Sequence, residues 1–165
     1  MSELQQVDQP LESLEGVDVD GDQYLSFILG DEEYGVEILR VQEIKGWDNV
    51  TPIPNSPEYL CGVLNLRGTI VPVVDLRKRF EMPLKPYTPT TVVIVLKVEG
   101  VTMRTVGVIV DAVSDAHNVT EDNIHPTPEF GAHVDTRYIK GLVPIGANMM
   151  MLLNIDQLLS VEALG

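Results

Sequence analysis

The strongest constraint on the fold of this chain is an internal repeat. YLCGVLNLRGTIVPVVDLRKRF, residues 59–80, aligns without a gap over YIKGLVPIGANMMMLLNIDQLL, residues 138–159. Upstream of these segments, YGVEILRVQEI at residues 34–44 matches VGVIVDAVSDA at residues 106–116. The common order of the two matches indicates a duplication into units of about 65 residues, a size that is marginal for a domain on its own. We therefore expect the two units to share one core.

Each unit consists of short β-branched runs that are separated by turn residues. YLSFIL at residues 24–29, TVVIVLKV at 91–98 and RTVGVIV at 104–110 are examples, and Gly30-Asp31 is one of the separating turns. This spacing predicts about five short antiparallel strands in each unit and few helices. Short helices are predicted behind capping residues at 56–60, 75–80 and 154–159.

The predicted architecture is all-β, with two small five-stranded barrels around a shared core and a few short helices. Closing a sheet into a barrel removes the edge strands that otherwise pair with other chains. The proline-rich segment EMPLKPYTPT, residues 81–90, is the predicted junction. Barrel one then spans about residues 23–85 and barrel two about residues 90–160, and an exchange of strands between them remains open.

Negative charge is concentrated at the N-terminus. Residues 1–22 hold seven carboxylates and no lysine or arginine, within a total net charge of −14. We expect this segment to be a disordered acidic tail, and it lacks the basic and apolar regions of a signal peptide. The charge argues against nucleic acid as a partner and against direct membrane insertion. Cys61 is the single cysteine, which excludes an internal disulfide and is typical of a reducing cytoplasm.

No catalytic, cofactor or metal site is predicted. DVDGD at residues 18–22 resembles the start of a calcium loop, but Gln23 stands where that loop needs glycine. His117, His125 and His133 lack the spacing of metal ligands. Phosphate-binding glycine loops and nucleophile motifs are missing from the sequence. We therefore expect no enzymatic activity.

A single charge interrupts the apolar stretch VLNLRGTIVPVVDL, residues 63–76. Arg67 lies there beside Gly68, whereas the second copy of the repeat has Gly146 at the equivalent position. One interpretation is a solvent-exposed turn residue. The other is a polar anchor in an apolar contact surface, because arginine is favoured at protein interfaces. On the second interpretation we expect Arg67 to pair with Glu43, which is also a charge between apolar residues.

Four segments of the sequence resemble the CheW family, the adaptors of bacterial chemotaxis arrays. The similarity is carried by residues 30–44, 57–77, 91–96 and 106–115, and it includes the specific signature N-L-R-G-x-I-V-P-V-x-D-L. It covers about residues 23–159 and leaves out the acidic tail. The resemblance implies two five-stranded, SH3-like barrels around a shared core, in agreement with the duplication.

The resemblance also implies a function. A CheW-like domain over residues 23–165 would be a non-catalytic adaptor, without cofactors, that couples methyl-accepting chemoreceptors to the histidine kinase CheA. It would be cytoplasmic and recruited to membrane-associated receptor arrays. The receptor tip would dock in an apolar groove between the barrels, and the regulatory domain of the kinase would pair barrel to barrel with this protein. Partner-coupling positions of the family match Val41, Glu43, Gly62, Arg67, Val92, Gly107 and Val113.

Other interpretations remain open for these positions and for the whole chain. The three valines also fit plain core packing, and the two glycines fit a strand bulge or a close approach of two segments. A CheW-like scaffold of a different chemosensory pathway, such as twitching motility, would carry the same signature. An oligonucleotide-binding barrel would show similar strand patterning, but the net charge of −14 and the aromatic content of 5% argue against it.

Overall fold

Strands dominate the computed structural model, which describes residues 21–47, 50–83, 85–100, 102–127 and 136–159. The expectations for the acidic tail and for His133 fall almost entirely outside these residues. Within the described ranges the strands are β1 Asp22–Leu29, β2 Glu32–Glu37, β3 Val41–Gly46, β4 Leu60–Leu66, β5 Thr69–Asp75, β6 Val92–Val98, β7 Arg104–Val110, β8 Ala112–Val119, β9 Ile139–Ile145 and β10 Asn148–Leu153. The α-helices there are α1 Leu76–Arg79 and α2 Ile155–Leu158, and the single 3-10 turns are Ile38–Arg40, Glu121–Asn123 and Thr136–Tyr138.

The strands form two five-stranded sheets, which confirms the predicted all-β fold. Sheet A has the strand order β9-β10-β2-β1-β8, and sheet B has the order β4-β5-β7-β6-β3. Most neighbouring strands are antiparallel, as expected. However, β10 runs parallel to β2 and β5 runs parallel to β7. Strand spacing does not predict these parallel pairs, because it carries no information on which distant strand becomes a neighbour.

Each sheet takes strands from both halves of the chain. Sheet A combines the hairpin β1–β2 with strands β8, β9 and β10, and sheet B combines the hairpin β6–β7 with strands β3, β4 and β5. The two sheets have equivalent strand orders, so the halves of the repeat have exchanged their first hairpins. The sheets therefore do not coincide with the sequence ranges of about 23–85 and 90–160. Neither sheet is complete without strands from the other half.

The chain first crosses from sheet A to sheet B through the 3-10 turn Ile38–Arg40. The Arg40 guanidinium there donates to both carboxylate oxygens of Asp156 in α2, at 2.8 and 2.7 Å. Asp156 also accepts the backbone N–H of Glu99, in the connection between β6 and β7, at 2.8 Å. This carboxylate therefore ties together the crossing, the short helix and an exchanged hairpin.

The chain crosses back to sheet A at a single residue, Asp111. The buried Arg77 of α1 donates to its carboxylate through Nε, at 2.9 Å, and also through Nη2. Asp111 in turn accepts the backbone N–H of Gly30, in the β1–β2 turn, at 2.8 Å. Arg77 and Asp156 occupy equivalent positions of the repeat. The two crossings are thus held by the same kind of ion pair with the charges reversed.

Both short helices begin where their capping residues predict. The side chains of Asp75 and Asn154 each accept a backbone N–H of the helix that follows. The helix predicted at residues 56–60 is wrong, because this segment is a turn that leads directly into β4. Leu60 already pairs with Val74 in sheet B, so the chain has no room to complete a helical turn before the strand begins.

One large apolar cluster fills the space between the sheets, as the shared-core prediction requires. It combines Phe27 and Tyr34 of sheet A with Ile94 and Val108 of sheet B, all of them fully buried, and it also contains the helix residue Leu158. A smaller cluster fills the interior of each barrel. Most of the buried apolar area, which stabilises the fold, therefore lies where the halves meet.

Among the described residues, one antiparallel bridge closes each sheet into a small barrel, called barrel A for sheet A and barrel B for sheet B. In barrel B, Thr51 and Val63 exchange two backbone hydrogen bonds of 2.9 Å. Gly62 precedes the bridge at a bulge of β4 and has φ +151°, and a Cβ on it would lie only 2.1 Å from the Thr51 carbonyl oxygen. The repeat places Gly141 at the matching bulge of barrel A, again beside a bridge. Glycine is required where the backbones close the barrels.

Substitution of Gly62 by alanine should test this requirement. The added methyl group would clash with backbone rather than with a flexible side chain, and it would hold an L-residue at an unfavourable φ. We expect Gly62→Ala to lower the free energy of unfolding by about 2–3 kcal/mol. Gly46→Ala is the matched control, since a Cβ on Gly46 would meet nothing within 4 Å. Equal urea midpoints for the two variants would contradict the close approach.

The stability of the protein should fall when Asp156 is protonated. The hydrogen bonds from Arg40 hold the pKa of Asp156 below its usual range, so the unfolded chain takes up this proton at a higher pH than the folded chain. The contribution of the pair is then complete above about pH 4 and is lost as the pH falls through the lowered folded-state pKa.

Urea unfolding of Asp156→Asn checks this pH dependence. At about pH 6 the variant should be less stable than the parent by about 1 kcal/mol, and the gap should shrink at about pH 2. Asp31→Asn is the control, because this carboxylate is exposed in the β1–β2 turn. A gap of the same size at both pH values would show that the charge of Asp156 is not the stabilising feature.

Candidate partner-binding surface

The structure contains the ion pair expected between Arg67 and Glu43. Arg67 lies in the turn between β4 and β5, and its Nη2 donates to Oε1 of Glu43, on β3, at 2.7 Å. Strands β3 and β4 are the two edges of sheet B, so the pair is a second link across the seam that the Thr51–Val63 bridge closes. The pairing follows from the closure of the barrel, which brings together segments 24 residues apart.

The two partners differ in their exposure to solvent. The Arg67 side chain is 69% exposed, whereas that of Glu43 is 24% exposed. Glu43 thus orients one edge of the guanidinium, and the larger part of the arginine projects from the surface. An arginine in this arrangement presents further N–H donors that can bind a second carboxylate or a carbonyl oxygen.

The three valines among the predicted site residues lie at the margin of the shared core. Val41, Val92 and Val113 are half-buried and pack against the apolar cluster between the sheets. Val41 begins β3 directly after the first crossing, and Val113 lies two residues after Asp111 at the second crossing. The repeat thus places Val41 and Val113 at equivalent positions on different sheets. Each valine combines core contacts with a surface that solvent still reaches.

The two glycines among these residues have structural surroundings. Gly62 allows the backbone approach that closes barrel B, as described above. Gly107 lies in β7 opposite Val73 of the parallel neighbour β5, and a Cβ on it would come within 2.9 Å of Cγ1 of Val93. Their close contacts are with this chain itself. Substitution at either position would therefore alter the shape of sheet B as well as any surface beside it.

Exposed aliphatic side chains flank the ion pair along the chain, and sequence reasoning did not find them. Ile44 follows Glu43 in β3 and is 44% exposed, and Ile70 lies near the start of β5 and is 60% exposed. Leu39 in the first crossing is 83% exposed. All three look like core residues in apolar runs. Ile44 alternates with half-buried Glu43 and Lys45 along β3, so it lies on the outward face of the strand.

The connection between the halves is fastened to barrel B by aromatic residues. The Tyr87 ring packs on Trp47 with centroids 4.3 Å apart, and its hydroxyl donates to the buried carboxylate of Asp75 at 2.7 Å. Cys61 lies beside Tyr87, and burial raises the pKa of its thiol. The thiol is therefore protonated at neutral pH and is a poor nucleophile.

No group of three or more histidine, cysteine, aspartate or glutamate side chains in the described ranges is arranged to hold a metal ion. His125 pairs through its backbone with Leu142 in the bridge that closes barrel A. None of the helices in the described ranges has the length and apolarity needed to cross a bilayer.

Comparison with known proteins identifies the family. The model of the CheW-like domain matches residues 23–163. The chain is 48% identical over 142 residues to the chemotaxis protein CheW of Klebsiella aerogenes, covering 86% of this chain and 84% of that protein. It is 40% identical to the probable chemotaxis protein CheW of Rhizobium etli, over 82% of this chain and 86% of the relative. Protein FrzA of Myxococcus xanthus is 30% identical over 83% of this chain and 84% of its own length.

A solved structure shows the same fold. The crystal structure of the scaffolding protein TtCheW from Thermoanaerobacter tengcongensis superposes with a TM-score of 0.78 at 31% identity, covering 87% of this chain and 95% of that chain. The family model covers nearly all of the described residues, and so do the two five-stranded sheets with their exchanged hairpins. The chain therefore belongs to the CheW-like family of chemotaxis scaffold proteins.

Proposed function

We propose that this protein is a non-catalytic adaptor that couples methyl-accepting chemoreceptors to the histidine kinase CheA. The observation that carries the proposal is the Arg67–Glu43 pair, in which a mostly exposed arginine is oriented by a half-buried carboxylate. An oriented arginine at the surface fits the hot spots of protein interfaces, which are enriched in this residue. The second copy of the repeat has Gly146 there, so the feature belongs to one barrel only.

Exposed apolar side chains on the segments that carry the ion pair support a protein partner. Ile44 and Ile70 are exposed on the strands that carry Glu43 and follow Arg67, and Leu39 is exposed at the first crossing. Exposed aliphatic side chains with charges at their margin are the composition expected of a contact surface. In this proposal the regulatory domain of the kinase, which is itself CheW-like, binds barrel to barrel at the Arg67 end of barrel B.

The margin of the shared core is the proposed receptor site. Val41, Val92 and Val113 offer partly exposed apolar surface between the barrels, where the tip of a receptor hairpin would bury it. Gly62 and Gly107 would affect either partner indirectly, through the shape of sheet B. Binding to receptors would bring the protein from the cytoplasm to receptor arrays at the membrane. The relatives named as chemotaxis and scaffolding proteins support this assignment.

Removal of the Arg67 side chain should separate binding from folding. The exposed pair contributes only about 0–1 kcal/mol, so Arg67→Ala should keep a urea midpoint close to that of the parent. Binding to purified kinase or to receptor should weaken by roughly thirtyfold, the effect of truncating an interface arginine worth about 2 kcal/mol. Lys85→Ala is the matched control, because it removes one positive charge from an exposed site in the connecting segment.

Exchange of the two charges tests what the pair does. If Arg67 acts by holding Glu43, then Arg67→Glu combined with Glu43→Arg should recover binding that each single change abolishes. If the combination stays inactive, the arginine contacts the partner itself. If Arg67→Ala binds both the kinase and the receptor normally, the proposed role of the Arg67–Glu43 pair is wrong. Capture of a kinase from another chemosensory system would instead point to a scaffold of that pathway.

A further inference from the structure

The turn that carries Arg67 has a backbone conformation that arginine adopts with difficulty. Arg67 and Gly68 are the two central residues between the paired strand residues Leu66 and Thr69, and their φ angles are +51° and +88°. Positive φ at both positions is typical of a type I′ hairpin turn, which favours asparagine or glycine first. A residue with a Cβ is disfavoured in the left-handed region, because the Cβ comes too close to the following carbonyl oxygen.

The hairpin turn in the second copy of the repeat has glycine at the position of Arg67, and the residue after it, Ala147, does not have a positive φ. Gly146 stands at the position of Arg67 and has φ +59°, a value that glycine reaches at no steric cost. A Cβ placed on Gly146 would meet nothing within 4 Å, so glycine is present there for its backbone freedom and not for lack of space. Folding alone would therefore favour glycine over arginine at position 67.

A neighbouring side chain holds the unfavourable turn in barrel B. The Asn65 carboxamide oxygen accepts the backbone N–H of Gly68 at 2.8 Å. This bond joins the end of β4 to the residue after Arg67. It therefore fixes the orientation of the peptide group between Arg67 and Gly68. The equivalent position in the second copy is Pro144, whose ring has no acceptor to make such a bond.

We propose that Asn65 is a positioning residue for Arg67. Its hydrogen bond to Gly68 keeps the backbone of Arg67 in the left-handed region, and this conformation aims the guanidinium at Glu43, 2.7 Å away, and at the bound partner. The side chain of Asn65 needs no contact with the partner for this role. This inference rests on the proposed function where affinity for the kinase is measured. The urea midpoint, in contrast, reports on Asn65 without any partner.

The test is a double-mutant cycle in the full chain with Asn65→Ala, Arg67→Gly and the combination. With Arg67 present, Asn65→Ala should lower the urea midpoint and weaken binding to purified kinase by about fivefold, the effect of one hydrogen bond. With glycine at position 67, which adopts the turn unaided, Asn65→Ala should change binding less than about twofold. Asn65→Asp keeps an acceptor for the Gly68 N–H and should restore most of the affinity.

The cycle also distinguishes the alternative roles of Asn65. Equal effects of Asn65→Ala in both backgrounds, or failure of Asn65→Asp to rescue, would overturn the positioning role in favour of general turn stability or direct contact. The positioning role would also be overturned if Asn65→Ala binds the kinase with full affinity while Arg67→Gly binds it more weakly. If Arg67→Gly binds normally, the proposed binding role of Arg67 is wrong, and the positioning role of Asn65 is then judged from the urea midpoints. An effect of Asn65→Ala on the midpoint that is larger with arginine than with glycine at position 67 supports positioning. Equal effects in the two backgrounds overturn it.

Discussion

The fold depends on the two crossings where the chain passes from one sheet to the other. At each crossing a bidentate arginine–aspartate pair joins the connecting segment to a short helix, and the same carboxylate accepts an N–H from an exchanged hairpin. Bidentate pairs of this kind are directional as well as charged. Because the hairpins are exchanged, neither barrel is complete without the other half. The apolar cluster between the sheets is the result, and it contains strands from both copies of the repeat.

The protein uses the same chemical pair for two purposes, and burial distinguishes them. Arg77 is buried, and its pairing with Asp111 is part of the framework. Arg67 is mostly exposed, and its pairing with Glu43 orients a group at the surface. An exposed pair adds little to stability. The unfavourable turn under Arg67 is consistent with this division, since proteins depart from local folding preferences mainly where function requires it.

Features set by neighbouring residues, such as helix caps and β-branched runs, predicted the helices and strands well. The caps at Asp75 and Asn154 begin helices as expected, and β-branched runs became strands. The segment at 56–60 shows the limit, since the pairing of Leu60 in sheet B overrides a capping pattern. Within the candidate site, the Arg67–Glu43 contact could be predicted from the repeat and from two isolated charges. Ile44 and Ile70 could not, because buried and exposed positions have the same apolar character.

By itself the sequence determined the all-β class, the duplication, the need for a shared core and the family signature. These follow from composition, periodicity and motif, which are properties of neighbouring residues. Only the tertiary structure decided that the hairpins are exchanged, that β5 and β10 have parallel partners, and that Gly62 lies against the Thr51 carbonyl. The reason is physical. Strand patterns specify which face is apolar, but the choice of partner comes from the best joint burial of surfaces far apart in the chain.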